Sequence, residues 1–276
     1  MISDIIDDIA RNSNIKANDG DYLVDGLLYC GKCKTAKQVR LEFFNEVKTP
    51  FCLCKCEAER RDREERERKE EEKRADIMRM RSYGFPQAEM KDWTFANDDH
   101  NNEKITNIAL NYVEHFEQMK KDGKGLLFYG SVGTGKTYIS ACIANALIDK
   151  GYPCLVTNFA RLVNTISGKF EGKQEYIDSL NNYTLLVIDD LSAERNTEYM
   201  NEIVWNIIDA RYRSGKPLIV TTNLTAQELN SPAEISKQRV YSRLMEMCIP
   251  LEISGKDRRK QKLRDDYNKY AGILNL

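Results

Sequence analysis

The chain has 276 residues, of which 41% are hydrophobic and 31% are charged, and this length is enough for one large domain or two modest ones. The 42 basic and 43 acidic residues leave a net charge of −1, which excludes a uniformly basic surface that binds nucleic acid through charge alone. No apolar run reaches the roughly 18 residues that a membrane-spanning helix needs, and the acidic N-terminal segment lacks the features of a secretory signal. We therefore expect a cytoplasmic protein with no membrane partner.

Five of the eight cysteines lie between residues 30 and 56. In a reducing compartment such a cluster favours a metal site over disulfides. Cys30 and Cys33 form a C-x2-C pair, and the other half of the site must come from Cys52, Cys54 and Cys56. Four thiolates around one ion make a closed structural zinc site. One of the three later cysteines is therefore spare, and the spacing alone leaves open which one.

Residues 59–74 are all charged, eight of each sign. Glu, Arg and Lys are good helix formers, and opposite charges recur four residues apart, as at Glu65 and Lys69, each pair contributing about 0.2–0.5 kcal/mol to a helix. The segment has no apolar face to bury, so we expect a solvated helix between two domains, with a disordered linker as the alternative. The chain then divides into a small domain at 1–58, a charged helical linker at 59–90 and a larger domain at 91–276.

The larger domain alternates short apolar runs with amphipathic stretches. The apolar runs predict five buried strands, at Gly125–Tyr129, Cys154–Thr157, Leu185–Asp189, Leu218–Thr222 and Ile249–Ile253. The stretches between them predict helices at Thr137–Lys150, Phe159–Phe170, Thr197–Arg213 and Pro232–Met247. This alternation predicts an α/β fold, with a central parallel sheet and helices on both of its faces.

A phosphate-binding pattern lies between the first of these strands and the helix that follows it. The pattern G-x-x-x-x-G-K-[ST] is matched in full by Gly130, Ser131, Val132, Gly133, Thr134, Gly135, Lys136 and Thr137. Glycines allow backbone N–H groups to curl around phosphate oxygens, and the helix N-terminus adds partial positive charge. We expect Lys136 to reach the β- and γ-phosphates of ATP and the Thr137 hydroxyl to ligate Mg²⁺.

Polar residues end the third and fourth predicted strands. Asp189 closes the third strand, and a strand-end carboxylate beside a phosphate loop supplies the oxygen ligand that Mg²⁺ prefers. Asp190 would point to the other side, toward an attacking water, with Glu194 as a weaker candidate and an ordinary turn residue as the alternative. Asn223 follows the fourth strand, and we expect it to bond that water or the γ-phosphate, unless it only serves the turn.

Two arginines, Arg239 and Arg243, lie four residues apart on the last predicted helix of the alternation. A cation delivered from a neighbouring subunit would stabilise charge on the transferring phosphoryl group, as an arginine finger does. By itself such a pair is more often a solvated face. Its position after the strand that ends at Asn223 favours the catalytic role, and with it self-association into a ring or spiral.

Taken in order, the segments GSVGTGKT, LLVIDDLSAE, TTNL and RVYSRL resemble the motifs of the AAA+ ATPases of the DnaC/DnaI helicase-loader family. The resemblance spans roughly residues 93–265. It implies a AAA+ P-loop fold without a full C-terminal lid, and an ATPase that places a ring-shaped replicative helicase on single-stranded DNA.

The resemblance also implies roles for individual residues. Lys136 and Thr137 match the Walker A pair, Asp189 the Walker B magnesium acid, Asn223 sensor 1, Arg243 the arginine finger and, loosely, Arg259 the C-terminal sensor arginine. Typical AAA+ proteins carry Glu where this chain has Asp190. Because Asp is one methylene shorter, slow and partner-stimulated hydrolysis is expected.

The cysteine-rich head resembles that of DnaI-like and phage-borne loaders. The C-x-C-E pattern before a charged helix resembles the family's own, which favours Cys54 and Cys56 as zinc ligands beside Cys30 and Cys33, with Cys52 as the alternative. The family implies that this head grips the helicase or gates single-stranded DNA. Residues 1–25 carry six acidic and two basic residues, a net −4 that favours a protein partner.

The C-terminal segment has the opposite charge. Residues 254–270 carry seven basic and three acidic residues, a net +4, with Tyr267 and Tyr270 among them. Basic and aromatic side chains together suit single-stranded DNA, because charge follows the phosphates and rings stack on bases. An ordinary solvated helix is the alternative.

Two other functions fit the same motifs. An IstB-like transposition helper ATPase would act on a transposase instead of a helicase, and the cysteine head argues against it. An ATP-switched interaction module would bind ATP with little turnover, and the intact Lys136, Asp189 and Arg243 argue against that.

Overall fold

The computed structural model describes residues 18–43, 46–98, 102–191, 198–232 and 234–274. The chain forms two compact units, Met1–Arg74 and Ala75–Leu276. This division differs from the expected one, because residues 75–90, assigned above to the linker, belong to the larger unit. Met80, Phe85 and Met90 are buried in its hydrophobic core.

The smaller unit contains two short antiparallel hairpins, β1 (Tyr22–Val24) with β2 (Leu27–Tyr29) and β3 (Leu41–Phe43) with β4 (Glu46–Lys48). Its interior is unusual for a folded domain. Among the described residues, the buried hydrophobic side chains of this unit are those of Cys30 and Cys54. Beside them lies an ion pair between Lys37 and Asp21, 2.5 Å long with both side chains under 5% exposed. So small an apolar core needs another source of stability.

The charged segment lies in one long helix, α1 (Lys55–Gly84), which confirms the predicted helix. Arg60 pairs with Glu64 and Lys69 with Glu65, each at 2.6 Å and one turn apart. The last turns differ in character, since Met80 and Gly84 are buried. Across the described part of the chain, no helix combines the length and apolar character that crossing a membrane requires.

The larger unit is built on a five-stranded parallel sheet of β5 (Gly125–Tyr129), β6 (Cys154–Asn158), β7 (Leu185–Leu191), β8 (Leu218–Thr222) and β9 (Cys248–Glu252). The order of the strands across the sheet is β6-β7-β8-β5-β9. All five predicted strands are confirmed, each end lying within two residues of its expected position.

Helices cover both faces of this sheet. They are α2 (Glu103–Glu114), α3 (Phe116–Lys121), α4 (Lys136–Asp149), α5 (Phe159–Ser167), α6 (Lys173–Ser179), α7 (Glu198–Ser214), α8 (Ala226–Asn230), α9 (Ile235–Met247) and α10 (Arg258–Leu274). Side chains alternate between the faces along each strand. Leu126 and Phe128 therefore join the core under α2 and α4, whereas Leu127 joins the core under α5, α7 and α9. The predicted α/β architecture is confirmed.

Arg211 of α7 fixes the end of the sheet where β7 and β8 begin. It is 1% exposed, and its guanidinium donates hydrogen bonds to the carbonyls of Pro217 at 2.6 Å, Thr184 at 2.9 Å and Tyr183 at 3.0 Å. Burial lowers the pKa of this guanidinium to about 10. The carbonyls belong to the residues that enter the two strands, so Arg211 ties both strand starts to α7.

Replacing Arg211 with Met should destabilise the larger unit by about 3 kcal/mol, because buried carbonyls would lose their donors. Equilibrium unfolding in urea measures this. The control is Arg213→Met, which removes an exposed arginine whose partner Asp209 lies one turn away and should cost less than about 1 kcal/mol. Equal losses from the two substitutions would contradict the role given to Arg211.

Candidate nucleotide site and cysteine cluster

The loop from Gly130 to Gly135 joins β5 to α4 and has the backbone that only glycine tolerates well. Gly133 and Gly135 have φ values of +79° and +97°, in the left-handed region that carries a penalty for other residues. A Cβ on Gly133 would also lie 2.0 Å from Oδ1 of Asp257, in the segment that follows β9. That segment is held to the loop by the hydrogen bond from Arg258 N to Gly133 O, at 3.0 Å.

Lys136 begins α4 and folds back over the loop. Its Nζ donates to the carbonyls of Gly130 at 2.8 Å and Ser131 at 2.7 Å. Thr134 Oγ1 also donates to Ser131 O, at 3.0 Å, which tightens the turn. Burial lowers the pKa of the Lys136 ammonium, opposed by the carboxylates of Asp190 and Asp189. The lysine is thus placed at the mouth of the loop.

The Thr137 hydroxyl meets the Asp189 carboxylate at the end of β7. Thr137 Oγ1 donates to Asp189 Oδ1 at 2.8 Å and lies 3.1 Å from Oδ2. One hydroxyl and one carboxylate facing each other are hard oxygen ligands of the type Mg²⁺ takes. The structure brings together the two residues that the sequence assigned to magnesium.

Asp190 and Asn223 meet on the other side of the same strand end. Asn223 Nδ2 donates to Asp190 Oδ1 at 3.0 Å. Asp190 itself has φ +60°, and burial together with the neighbouring Asp189 charge raises the pKa of its carboxyl. The two residues expected near an attacking water are therefore adjacent. Glu194 lies outside the described residues.

These side chains line one cavity of 420 Å³. Its walls are formed by residues 132–137, both strand-end acids, Thr221 and Asn223. Arg258 and Arg259, at the start of α10, line it as well, and so does Trp93. Arg259, the loose match to the C-terminal sensor arginine, therefore lies beside the phosphate loop, and its role as a sensor stays a prediction, while Arg258 and Trp93 are additions that the motifs did not indicate. Two arginines beside the phosphate loop suit a polyanionic ligand.

Trp93 is held against α4 by buried hydrogen bonds. Asn145, 1% exposed, donates through Nδ2 to the carbonyls of Met90 at 2.8 Å and Trp93 at 2.9 Å. The Trp93 ring lies 5.6 Å from that of Tyr138. An aromatic wall beside the phosphate loop provides a flat surface on which a nucleobase can stack.

Arg243 lies away from this cavity, on the face of α9 that packs against α7. Its guanidinium forms an ion pair with Asp209 and lies 3.9 Å from the centre of the Trp205 ring and 5.2 Å from that of Tyr212. Arg239 is exposed and lines a separate cavity with Glu202. A role for Arg243 at a neighbouring subunit's phosphates stays a prediction, and it requires the side chain to leave these contacts.

The cysteine cluster of the smaller unit brings four sulfurs together. The Sγ atoms of Cys30, Cys33, Cys54 and Cys56 all lie within 4.8 Å of one another. Cys56 Sγ is 3.6 Å from that of Cys30 and 3.5 Å from that of Cys54. Zinc–sulfur bonds of about 2.3 Å place tetrahedral sulfurs roughly 3.8 Å apart. The four cysteines therefore fit one zinc ion.

Cys52 has a different environment, since its Sγ lies 3.5 Å from the carbonyl oxygen of Ala36. Within the cluster the sulfurs differ in acidity. A hydrogen bond from Thr35 lowers the pKa of Cys33 to about 5, whereas hydrogen bonding with Cys54 raises that of Cys56 to about 12. Four sulfurs this close repel one another when ionised, so a bound cation is what allows all four to be thiolates.

Comparison with known proteins identifies the family. Residues 57–265 match the model of the IstB-like ATP binding protein family. The chain belongs to this family. The match covers the long charged helix and nearly all of the larger unit, including every residue named above at the phosphate cavity. ATP binding is thus a property of the family, and the phosphate loop lies within the matched residues.

The most informative relatives are two bacterial proteins. The chain is 24% identical over 163 residues to the replicative helicase loader DnaI of Bacillus subtilis, and 29% identical over 142 residues to the replicative helicase loader DnaC of Escherichia coli. These matches cover 55% and 49% of this chain, and 52% and 55% of the relatives. The chain thus spans about half the length of the curated relatives it matches.

Two solved structures share the fold. A crystal structure of DnaI superposes with a TM-score of 0.54 at 25% identity, over 62% of this chain and 95% of that one. A crystal structure of the DnaC helicase loader superposes with a TM-score of 0.51 at 24% identity, over 61% of this chain and all of that one. The resemblance to the DnaC/DnaI family that the motifs indicated is confirmed.

Replacing Lys136 with Ala should abolish the binding of ATP, because the loop would lose the ammonium that is expected to contact the phosphates. Quenching of tryptophan fluorescence on adding ATP, which Trp93 makes visible, measures the binding. The control is Lys150→Ala, at the far end of α4. Unchanged ATP affinity in the Lys136 variant would contradict the assignment of the loop.

Purified protein should contain one zinc ion per chain, measured by mass spectrometry of the metal. Cys54→Ser should lose this zinc and lower the melting temperature of the smaller unit, since the metal supplies much of its folding free energy. Cys52→Ser should retain the zinc. A fully folded protein without metal, or equal loss of metal from both variants, would contradict the four-cysteine site.

Proposed function

We propose that this chain is an ATP-dependent loader that places a replicative helicase on single-stranded DNA. The observation that carries the proposal is the Thr137–Asp189 pair at the mouth of an intact phosphate loop, in a chain whose relatives are named replicative helicase loaders. Those relatives are matched over about half of their length, and support for a helicase partner also comes from the cysteine head and the basic C-terminal helix.

In the proposed reaction the residues of the cavity bind the phosphates, bind the metal and orient the attacking water. Lys136 and the loop N–H groups hold the β- and γ-phosphates, and Thr137 and Asp189 hold Mg²⁺. The bound metal would neutralise charge on the phosphate oxygens. Asp190 and Asn223, joined at 3.0 Å, orient the attacking water. Arg258 and Arg259, which line the same cavity, would stabilise negative charge on the phosphates.

Slow hydrolysis follows from the acid that faces the water. Asp190 is one methylene shorter than Glu, and it already accepts a hydrogen bond from Asn223. This hydrogen bond lowers the basicity of the carboxylate, whose other lone pairs can still accept a bond from the attacking water. Slow turnover that a partner accelerates suits a loader, which needs to act only once for each helicase that it places.

Full activity on this proposal needs neighbouring subunits. Arg243 is the candidate arginine finger, and its present partners Asp209 and Trp205 lie in the same chain. Assembly into a ring or spiral would then exchange these contacts for a neighbour's γ-phosphate. Substituting Arg243 should affect turnover at high protein concentration and leave ATP binding by single chains intact.

The two ends of the chain supply the proposed partner contacts. The zinc-binding head, in a reducing cytoplasm, would bind the helicase. Helix α10 carries exposed Tyr267 and Tyr270, 60% and 46% exposed, among its basic residues, which suits single-stranded DNA. In an assembly, weak binding by each α10 would add across subunits.

The test is ATP turnover by the full chain, alone, with single-stranded DNA and with the replicative helicase of the same source, together with size-exclusion chromatography of the mixture. We expect a helicase complex and faster turnover with the partners. Arg243→Ala should bind ATP normally but lose the increase in turnover with protein concentration, whereas Arg239→Ala should keep it. If the partners do not stimulate turnover and no helicase complex forms, the loader proposal is contradicted.

The alternative function, a transposition helper ATPase, is supported by one observation, which is that the matching family is described as IstB-like. A transposition helper would be stimulated by a transposase and would form no helicase complex. The cysteine head is the feature that favours the loader over this alternative.

A further inference from the structure

Residues 189 and 190 interrupt the pairing of β7 with β8. Ile188 pairs with Val220 and Leu191 with Thr222, so two residues of β7 lie opposite the single residue Thr221. Such a bulge redirects side chains and leaves ladder groups without their usual partners. Here it turns Asp189 toward Thr137 and gives Asp190 its left-handed φ of +60°.

The Thr221 side chain fills this gap. Its Oγ1 accepts a hydrogen bond from Asp190 N at 2.9 Å and donates one to Asp189 Oδ1 at 2.5 Å. Thr221 is 2% exposed, so water cannot easily replace either contact. One hydroxyl thus bonds both acids, one through its backbone and the other through its carboxylate.

We propose that Thr221 is a positioning residue of the magnesium–ATP site, which sets the orientation of Asp189 toward the metal and holds the bulge that presents Asp190. This inference rests on the proposed ATPase site and adds a residue to it. Thr221 does not touch the reacting atoms. It acts through the Asp189 carboxylate that it holds. Removing a group that holds a metal-binding carboxylate typically changes metal affinity by about 10–100-fold.

The adjacent Thr222 provides a matched control. It is also fully buried, and its Oγ1 donates to Leu191 O at 2.8 Å and accepts from Leu224 N at 3.2 Å. Its side chain points to the other face of β8, away from the acids. Thr222→Val therefore removes an equivalent buried hydroxyl from the same strand, and it breaks no hydrogen bond to Asp189 or Asp190.

The experiment compares Thr221→Val, Thr221→Ser and Thr222→Val in the full chain. A fluorescent ATP analogue is titrated in EDTA and then at increasing Mg²⁺, and the Mg²⁺ concentration for half-maximal turnover is measured beside it. We expect Thr221→Val to raise that concentration about 10-fold or more, to weaken the gain in nucleotide affinity that Mg²⁺ brings, and to leave affinity in EDTA unchanged. Thr221→Ser, which keeps the hydroxyl, and Thr222→Val should both behave as the unsubstituted chain.

An unaltered Mg²⁺ requirement in Thr221→Val would overturn the inference, and so would an equal rise in Thr222→Val, which would trace the effect to packing. If Thr221→Val does not fold, Thr221→Ala decides the question by the same two titrations. Failure of the unsubstituted chain to bind the analogue would contradict the nucleotide site itself. Normal binding with an unaltered Mg²⁺ requirement in Thr221→Val would contradict only the role of Thr221.

Discussion

The nucleotide site depends on the convergence of three parallel strands at one edge of the sheet. β5 lies beside β8, and β8 lies beside β7, so their carboxyl ends deliver the phosphate loop, Asn223 and the acid pair to one place. Each strand is buried on both faces, which prevents a shift in register that would move these groups apart. Arg211 stabilises the opposite end of β7 and β8, because it bonds the residues that enter these two strands.

The polar groups at this edge already satisfy one another. Lys136 bonds the carbonyls of its own loop, and Thr137 bonds Asp189. Phosphates and a metal would take over these interactions with small movements of side chains, so little reorganisation is needed on binding. The bulge in β7 is held in a similar way, because the single hydroxyl of Thr221 bonds both acids.

Much of this site could be predicted from the sequence, because local patterns determine it. The phosphate loop is fixed by its glycines and by the strand and helix on either side, and Asp189 and Asn223 mark strand ends that apolar runs make visible. Trp93, Arg258 and Thr221 could not be found in this way. Their roles come from contacts between distant segments, such as the hydrogen bond from Asn145 to the Trp93 carbonyl, for which no spacing rule exists. The linker was predicted too long at its C-terminal end for a related reason, since the last turns of α1 mix Ile77, Met78 and Met80 with charged residues, and the burial of Met80 depends on the surface that it meets.

The role proposed for the Thr137–Asp189 pair is to hold a divalent metal beneath ATP. Anomalous diffraction from crystals grown with Mn²⁺ and a non-hydrolysable ATP analogue tests this role. We expect one metal peak between Thr137 Oγ1 and the Asp189 carboxylate, with the phosphates in the loop and the direct hydrogen bond between the two residues replaced. A metal bound elsewhere, or an analogue bound with that hydrogen bond intact, would contradict it.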